Sequence, residues 1–412
     1  MRRLFLLVLL VLIASQGYSQ SFQGKWSTKS SEGFEKRTGH TATLTPDNKI
    51  YIIGGFGWDE DSSYNITNVY HENFQVYDIA SDSWTTLPID STIHPHYNYH
   101  YSHSATLVDD SLIYILGGMC DFQGPHGTYI YDSTVHVLNI KTNEYRLLPT
   151  VNQYAPKVNA YTFLYNGKLY LFGDTPGSYS KGPISILDLK TNIWDNSFED
   201  SSGGGWDRMP VLINNRLYVF GGRDSNYQLH DSSRLAILDL NTMSWNIPTP
   251  NELNYRDNFF RDAPAVYDDS LIILVSIGRV RFYNIKTNRF TTVSSGADFL
   301  PRSEYSVTTV LNTIYVIAGS STNINQMFTL EAQSDVERIP GNNVGVFPNP
   351  TRDQFTVVGT NISSVTLLNS LGEIVYEGST NIIPTTGLAN GRYVLLVSST
   401  GKYYAELVLV QK

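Results

Sequence analysis

Ile50-Tyr51-Ile52-Ile53-Gly54-Gly55 decides the fold, because the chain writes it again and again. It returns as Ile113-Tyr114-Ile115-Leu116-Gly117-Gly118, as Leu169-Tyr170-Leu171-Phe172-Gly173-Asp174 and as Leu217-Tyr218-Val219-Phe220-Gly221-Gly222. Two looser copies follow, Ile272-Ile273-Leu274-Val275-Ser276-Ile277 and Ile314-Tyr315-Val316-Ile317-Ala318-Gly319. Each is an apolar strand ended by a glycine pair or a worn version of one. Such internal self-similarity outranks any single element as a guide to architecture. Ahead of each copy lies a strand rich in Thr, Ser and Ala, joined to it by a tight turn. Behind it come a variable loop, a strand, a polar turn and an aromatic residue.

That second half recurs in step. It reads Tyr77-Asp78-Ile79-Ala80-Ser81-Asp82-Ser83-Trp84, then Leu138-Asn139-Ile140-Lys141-Thr142-Asn143-Glu144-Tyr145. Leu187-Asp188-Leu189-Lys190-Thr191-Asn192-Ile193-Trp194 and Leu238-Asp239-Leu240-Asn241-Thr242-Met243-Ser244-Trp245 follow, and Tyr283-Asn284-Ile285-Lys286-Thr287-Asn288-Arg289-Phe290 is the last. Asp or Asn with Ser or Thr suits a tight hairpin, since these side chains bond their own backbone. The unit holds four short strands and returns roughly every 45–60 residues, near the spacing of propeller blades. Gly-Gly followed by a spaced aromatic resembles the kelch family over about residues 22 to 335. Arg37-Thr38-Gly39-His40-Thr41-Ala42 and Pro301-Arg302-Ser303-Glu304-Tyr305-Ser306 are similar to that family's basic opening strand. The middle units depart from it, with Lys157, Trp206 and Phe259 near the corresponding place. The resemblance implies an all-β, six-bladed kelch-type β-propeller, and the strands after it, read below, are expected to form a small C-terminal β-sandwich.

Glycine fits the end of the second strand because it accepts positive φ and lets backbones crowd near the axis. Another residue there costs roughly 1–2 kcal/mol. The fifth unit has Ser276-Ile277 instead, so it is expected to be the least regular blade. Closure gives an independent check. The sixth unit has a third strand near Met327–Leu330 but no turn and aromatic after it, whereas Gln23-Gly24-Lys25-Trp26-Ser27 precedes the first unit. An N-terminal strand completing the last blade would pair otherwise open edges.

The 412 residues suit one large repeat domain and a small one. The 13% aromatic content, 28 Tyr and 31 Gly suit short strands joined by turns. A net charge of −9 argues against nucleic acid, which needs a basic footprint. Arg2 and Arg3 before the apolar run Leu4–Ile13, then small residues up to Ser19, predict a signal peptide over 1–19. That run falls well short of the ~20 residues of a bilayer span, so no transmembrane segment is expected in the mature chain. Cys120 is the only cysteine, which leaves no internal disulfide.

The expected domains are thus a signal peptide (1–19), a propeller (20–338), a linker (339–343) and a tail (344–412). The tail opens with Val344-Gly345-Val346-Phe347-Pro348-Asn349-Pro350-Thr351. Phe355–Val358, Val365–Leu368, Ile374–Tyr376, Leu388–Leu395 and Tyr404–Val410 read as strands, with turn signals at Asn369–Gly372 and Ala389–Gly391. Phe347-Pro348-Asn349-Pro350-Thr351, Leu371-Gly372, Leu388-Ala389-Asn390-Gly391-Arg392-Tyr393 and Val408-Leu409-Val410-Gln411-Lys412 resemble the sorting domain of type IX secretion cargo. That likeness implies outer-membrane secretion machinery as a partner, and a secreted or cell-surface destination reached through the periplasm.

Strand parity locates a ligand face. In a four-stranded antiparallel blade, the loop between strands two and three emerges beside the link to the next blade. The long loops are all of these kinds: Phe56–Asn73, Ser91–Ser102, Met119–Thr134, Thr175–Pro183, Arg223–Ser233 and Asn251–Phe260. Loops on a rigid scaffold commonly carry function. They hold Trp58 and the candidate ligand-binding residues Tyr64, Tyr97, Tyr99, Tyr101, Tyr129, Tyr179, Tyr227 and Tyr255. Tyr offers wide contact area with a polar tip, which suits an extracellular glycan or protein. About half of such rings are expected to pack between blades instead.

His94, His96, His100 and His103 invite a metal reading, but His103 repeats His40 and the others lack a fixed ligand spacing. Asp59-Glu60-Asp61 reads as a solvated loop tip. No metal, cofactor or catalytic residue is assigned. The leading expectation is an exported binding protein. The rival is a carbohydrate-active enzyme on the same fold, a copper radical oxidase using Cys120 or a sugar mutarotase or epimerase, and a surface-layer component is the third class.

Overall fold

The computed structural model describes residues 23–411 apart from 61–65, 72, 89–100, 124–127, 177–181, 203–207, 223–234, 249–262, 277–278, 295–298, 301–303, 311–312, 321, 332–344, 360, 370–373 and 400–401. The segment expected to be a signal peptide lies outside that range. The chain divides into two compact units, Met1–Glu331 and Ala332–Lys412.

The first unit is a β-propeller. Its described residues form six four-stranded antiparallel sheets. Blade 1 comprises Thr41–Leu44, Lys49–Ile53, Asn73–Asp78 and Ser83–Pro88. Blades 2, 3, 4 and 5 open with Ser104–Val108, Val158–Tyr165, Arg208–Ile213 and Ala263–Asp268, and each continues outward in chain order. Blade 6 takes Ser306–Val310, Thr313–Ile317 and Asn325–Glu331, and its fourth strand is Gln23–Lys29 from the other end of the chain. The first strands touch in a closed circuit, blade 1 against blades 2 and 6, blade 2 against 3, 3 against 4, 4 against 5 and 5 against 6.

The closing strand pairs from Gln23↔Glu331 to Lys29↔Asn325, with Trp26 opposite Phe328. Trp26 is buried, its ring centroid 4.6 Å from Phe299 and 4.9 Å from Phe328. It fills the place held elsewhere by Trp84, Tyr145, Trp194, Trp245 and Phe290, which oppose Tyr77, Leu138, Leu187, Leu238 and Tyr283. The repeated aromatic is therefore the outer end of one cross-strand row per blade.

The second strands are apolar throughout because both of their faces are covered. Ile50 and Ile52 pack toward blade 6 with Tyr315 and Ile317, while Tyr51 and Ile53 pack toward blade 2 with Ile113 and Ile115. The polar turns behave as their composition predicts. Asp78, Asn139, Asp188 and Asn284 each accept two backbone N–H bonds from the turn they open. The glycine argument holds at Gly55 and Gly118, whose φ values are 86° and 87°. A Cβ on Gly55 would stand 2.7 Å from the Thr38 carbonyl oxygen and 2.8 Å from His40 Cβ.

Blade 5 corrects an expectation. Its second and third strands pair without a break from Leu271↔Asn284 to Ser276↔Arg279. Only residues 277–278 separate the two strands, so the ladder runs on where other blades open into a glycine turn. Blade 3 is the less regular, with register shifts at Val158/Tyr161 and Ile184/Ile186, against one in blade 5 at Val266/Asp268.

The second unit is a small sandwich. A three-stranded sheet orders Gly345–Phe347, Gln354–Val358 and Ile382–Pro384, and a four-stranded one orders Ile374–Gly378, Ile362–Leu368, Gly391–Ser399 and Lys402–Val410. Phe355, Val357 and Ile383 from the first sheet share a core with Val365, Leu367, Tyr393, Leu395, Val397, Val408 and Val410 from the second. The proline-rich opening has a local task. Asn349 Oδ1 accepts from the Leu409 N–H at 2.8 Å, and Thr351 exchanges backbone bonds with Leu409 and Gln411. The opening motif thereby clamps the last strand.

Candidate binding face

In each blade the end of the second strand and the link into the first strand meet on one side of the propeller. Two of the long connections there are not loops. Phe56–Glu60 pairs with Ile66–Tyr70, and Met119–Gln123 with Thr128–Tyr131, so blades 1 and 2 each raise a β-hairpin from this side. Asp59 and Glu60 accordingly belong to a strand rather than to a loop tip.

Of the candidate tyrosines, Tyr101 is the one whose ring is described. It is half-buried and meets Phe56 edge-on with centroids 4.9 Å apart. Phe56 in turn lies 6.3 Å from Trp58, which is 37% exposed. The main chain adds to this junction, since the Tyr101 N–H bonds the Met119 carbonyl at 3.1 Å. A contact of three aromatic rings therefore bridges the roots of the first two blades, with its indole end reaching solvent. Tyr129 lies in the second hairpin opposite Phe122, and its side chain is outside the described residues. Tyr64, Tyr97, Tyr99, Tyr179, Tyr227 and Tyr255 also lie outside them, as do His94, His96 and His100 and the Cys120 side chain.

Beneath the aromatic roots lies a layer of largely buried polar groups, of which the sequence reading places Arg37, His40 and His103 in the opening strands and does not single out the others. Arg37 is fully buried and donates to the Gly54 carbonyl at 3.0 Å, Gln75 Oε1 at 2.8 Å and Glu35 Oε2 at 2.9 Å. Glu35 also meets His71 Nδ1 at 2.9 Å and accepts from Asn73. These partners, His71 first, hold its carboxyl down at about 2 against the opposing effect of burial. Between blades 3 and 4, Arg208 takes Asp174 at 2.7 Å, Asp200, Ser202 and the Gly173 carbonyl. Its guanidinium lies 4.3 Å from the Phe172 ring centroid. In blade 2, His136 sits between Asp132 and Tyr145. His40 and His103 are buried at matching places against Gly55 and Gly118.

Two of these groups brace the turn at the end of a second strand, in blades 1 and 3. Arg37 serves Gly54, and Arg208, aligned with His40 and His103, serves Gly173. A signal was present in the sequence. Asp174 stands where four of the other copies have glycine, and a buried acid there calls for a cation on the next blade. Among the described residues, no group of three or more His, Cys, Asp or Glu side chains is placed to hold a metal ion.

A family model described as the KLHDC2/KLHL20/DRC7 Kelch-repeats domain matches residues 19–204 and, in a second placement, 103–319. A model of the secretion system C-terminal sorting domain matches residues 345–411. Kelch-like protein terF of Aspergillus terreus is 29% identical over 189 residues, 44% of this chain and 38% of that protein. Kelch domain-containing protein 10 of Homo sapiens is 24% identical over 218 residues, 51% of this chain and 47% of that protein. The chain thus spans about half or less of the length of these curated relatives. A solved structure titled "Structure of YjhT" aligns with a TM-score of 0.52 at 14% identity, covering 72% of this chain and 94% of that one. At that identity the likeness speaks for the fold alone.

Proposed function

This chain belongs to the kelch-repeat family and carries a C-terminal type IX secretion sorting domain, and from that premise we propose that it is a secreted interaction protein whose hairpin-bearing face binds a glycan or protein outside the cell. The domain limits that go with this reading are a leader over 1–19, a propeller over 20–338, a short linker and a sorting tail from 344. The tail hands the chain to outer-membrane machinery, and the propeller does the binding.

The observation that carries the reading is the contact of Trp58, Phe56 and Tyr101. A partly exposed indole beside Phe56, which is itself backed by Tyr101, suits a stacking platform. Sugar faces and aromatic or proline side chains both suit such a platform.

The test is a glycan array probed with the mature chain, residues 20–412, beside Trp58→Ala. Selective retention that falls about tenfold or more in the variant is the expected result, given the ~1–2 kcal/mol a ring contact supplies. Retention indifferent to Trp58 would move the binding site elsewhere. A chain silent on every glycan would remove the glycan half of the reading and leave extracellular protein as the ligand class to test.

A further inference from the structure

The two hairpins of the candidate face are rooted alike. In blade 1 the second leg, Ile66–Tyr70, runs into His71, whose N–H bonds the Gly55 carbonyl at 3.4 Å. In blade 2 the second leg, Thr128–Tyr131, runs into Asp132, whose N–H bonds the Gly118 carbonyl at 3.2 Å. His71 and Asp132 thus hold the same place, directly after a hairpin and against the second glycine of a pair. Each is buried, and each belongs to a couple of imidazole and carboxylate, His71 with Glu35 and Asp132 with His136.

The couples differ in where protons are needed. A neutral imidazole has one N–H and one acceptor nitrogen, whereas the imidazolium has two donors. The neutral ring serves His136. Its Nε2 faces Asp132 Oδ2 at 3.0 Å, and its Nδ1 faces the Tyr145 hydroxyl, which can donate to it. His71 meets an acceptor on each side, with Nε2 2.7 Å from the Lys36 carbonyl and Nδ1 2.9 Å from Glu35 Oε2. A carbonyl oxygen can only accept. The Glu35 carboxyl, held down at about 2 by His71 first and against the effect of burial, is ionised near neutral pH and also only accepts. Both contacts are bonds together only when the ring carries two protons. A neutral ring sets a lone pair against one of the oxygens, and that contact opens.

The acceptors belong to the segment after the closing strand, which also holds the other leg of the hairpin. Thr38 and Phe56 exchange backbone bonds at 2.8 and 3.0 Å. One segment therefore fixes the first leg through main chain and the second through the His71 ring. The register Phe56↔Tyr70 and Trp58↔Asn68 passes any loosening of the second leg to the rings on the first. Among the described residues the charged groups of this cluster are Glu35, which faces the ring, and Arg37, which pairs with Glu35; Asn73 and Gln75 complete it without charge.

We propose that His71 is a positioning residue for ligand binding at the hairpin-bearing face: as an imidazolium it pins the blade 1 hairpin, and on losing a proton it loosens that hairpin. The inference rests on the reading above that this face binds. The order supplied by the ring is complete while the ring is protonated and is lost as the pH rises through the range in which imidazole gives up its proton, about pH 5 to 8. The blade 2 hairpin, whose His136 needs one proton, is a control within the same molecule.

Hydrogen exchange of the full mature chain, read by mass spectrometry at about pH 5 and about pH 8 and corrected for the intrinsic rate, compares residues 56–70 with residues 119–131. Protection of the first hairpin should fall about tenfold or more relative to the second, the worth of one charge-assisted bond. Equal changes in the two hairpins overturn the pin and leave the binding reading standing. His71→Gln should exchange the first hairpin at the parent's high-pH rate at both values, and a variant as protected as the low-pH parent overturns the pin as well. Imidazole nitrogen spectra, with His71→Gln identifying the signal, should show both His71 nitrogens protonated at the lower pH and one bare once protection is lost. A ring neutral throughout refutes the assignment. Should the variant fail to fold, the exchange comparison within the parent decides alone. Retention of the parent's glycans on the array should fall with the hairpin, about tenfold over the same range. A hairpin that loosens while retention holds overturns binding at Trp58, and the positioning role of His71 with it. A parent silent on every glycan removes the glycan reading, and the exchange comparison still decides the pin.

Discussion

The Glu35 carboxylate ties the segment after the closing strand to blade 1 through Asn73 and the adjoining His71, and pairs with Arg37 of its own segment. Its folded pKa of about 2 lies below the ordinary 4.5. A depressed carboxyl contributes stability in full above its unfolded pKa and loses it as the pH falls through the folded value. The window is therefore about pH 4.5 down to 2. The side chain is 42% exposed, so solvent screening reduces the contribution to about 1 kcal/mol. Denaturant melts should show the parent losing stability over that window, with a shallower fall for Glu35→Gln; parallel acid limbs would refute the assignment. Single residues were legible in the sequence where their effect is local. Asp78, Asn139, Asp188 and Asn284 announce their turns because each side chain bonds backbone two or three residues on. Arg208 was legible only by half: Asp174 in a glycine place asks for a cation, but Asp174 and Asp200 come from another blade and from the link between blades, and only the fold brings them to Arg208.

At the scale of elements, closure rests on Gln23–Lys29, whose loss would leave Asn325–Glu331 as an open edge. Trp26→Ala removes a buried ring from between Phe299 and Phe328 and should cost roughly 3–5 kcal/mol. Thermal and urea melts should report that loss, and light scattering should show association through the freed edge. A variant that stays monomeric with an unchanged midpoint would mean that blade 6 does not need its borrowed strand. This element was legible because the missing turn and aromatic at one end matched a surplus strand and tryptophan at the other. The two hairpins were not. In Phe56-Gly57-Trp58-Asp59-Glu60 the alternation of a strand is interrupted by glycine and consecutive acids, so the segment reads as loop until its partner Ile66–Tyr70 is beside it. Blade 5 misled for the opposite reason: the absent glycine pair marks an absent loop, and the ladder simply continues.

The chain forms two units, and each carries its own core. In the tail, Phe355, Val357 and Ile383 close against Val365, Leu395 and Val408. In the propeller the closing strand seals the ring within Met1–Glu331. That independence was readable as a change in character near residue 344, because a sandwich of short alternating strands cannot continue a repeat whose second strands are apolar throughout. The make-up of the candidate face was not readable, since it is set by hairpins and links brought together from separate blades. The division yields a prediction that separates address from activity. Deleting residues 344–412 should abolish appearance of the chain at the cell exterior while leaving the melting of the propeller and its glycan retention close to those of the parent. Export is measured by cell fractionation, binding on the same array used for the full chain. The clamp at the start of the tail refines the experiment: Asn349→Ala removes the side-chain acceptor for the Leu409 N–H and loosens one edge of the last strand, which keeps its backbone bonds to Thr351 and its ladder to Gly391–Ser399. If presentation of that strand is what the machinery reads, Asn349→Ala should lower export in proportion to its loosening of the tail. Undiminished export by the deletion would show that the address lies in the propeller, and the sorting role of the second unit would be lost.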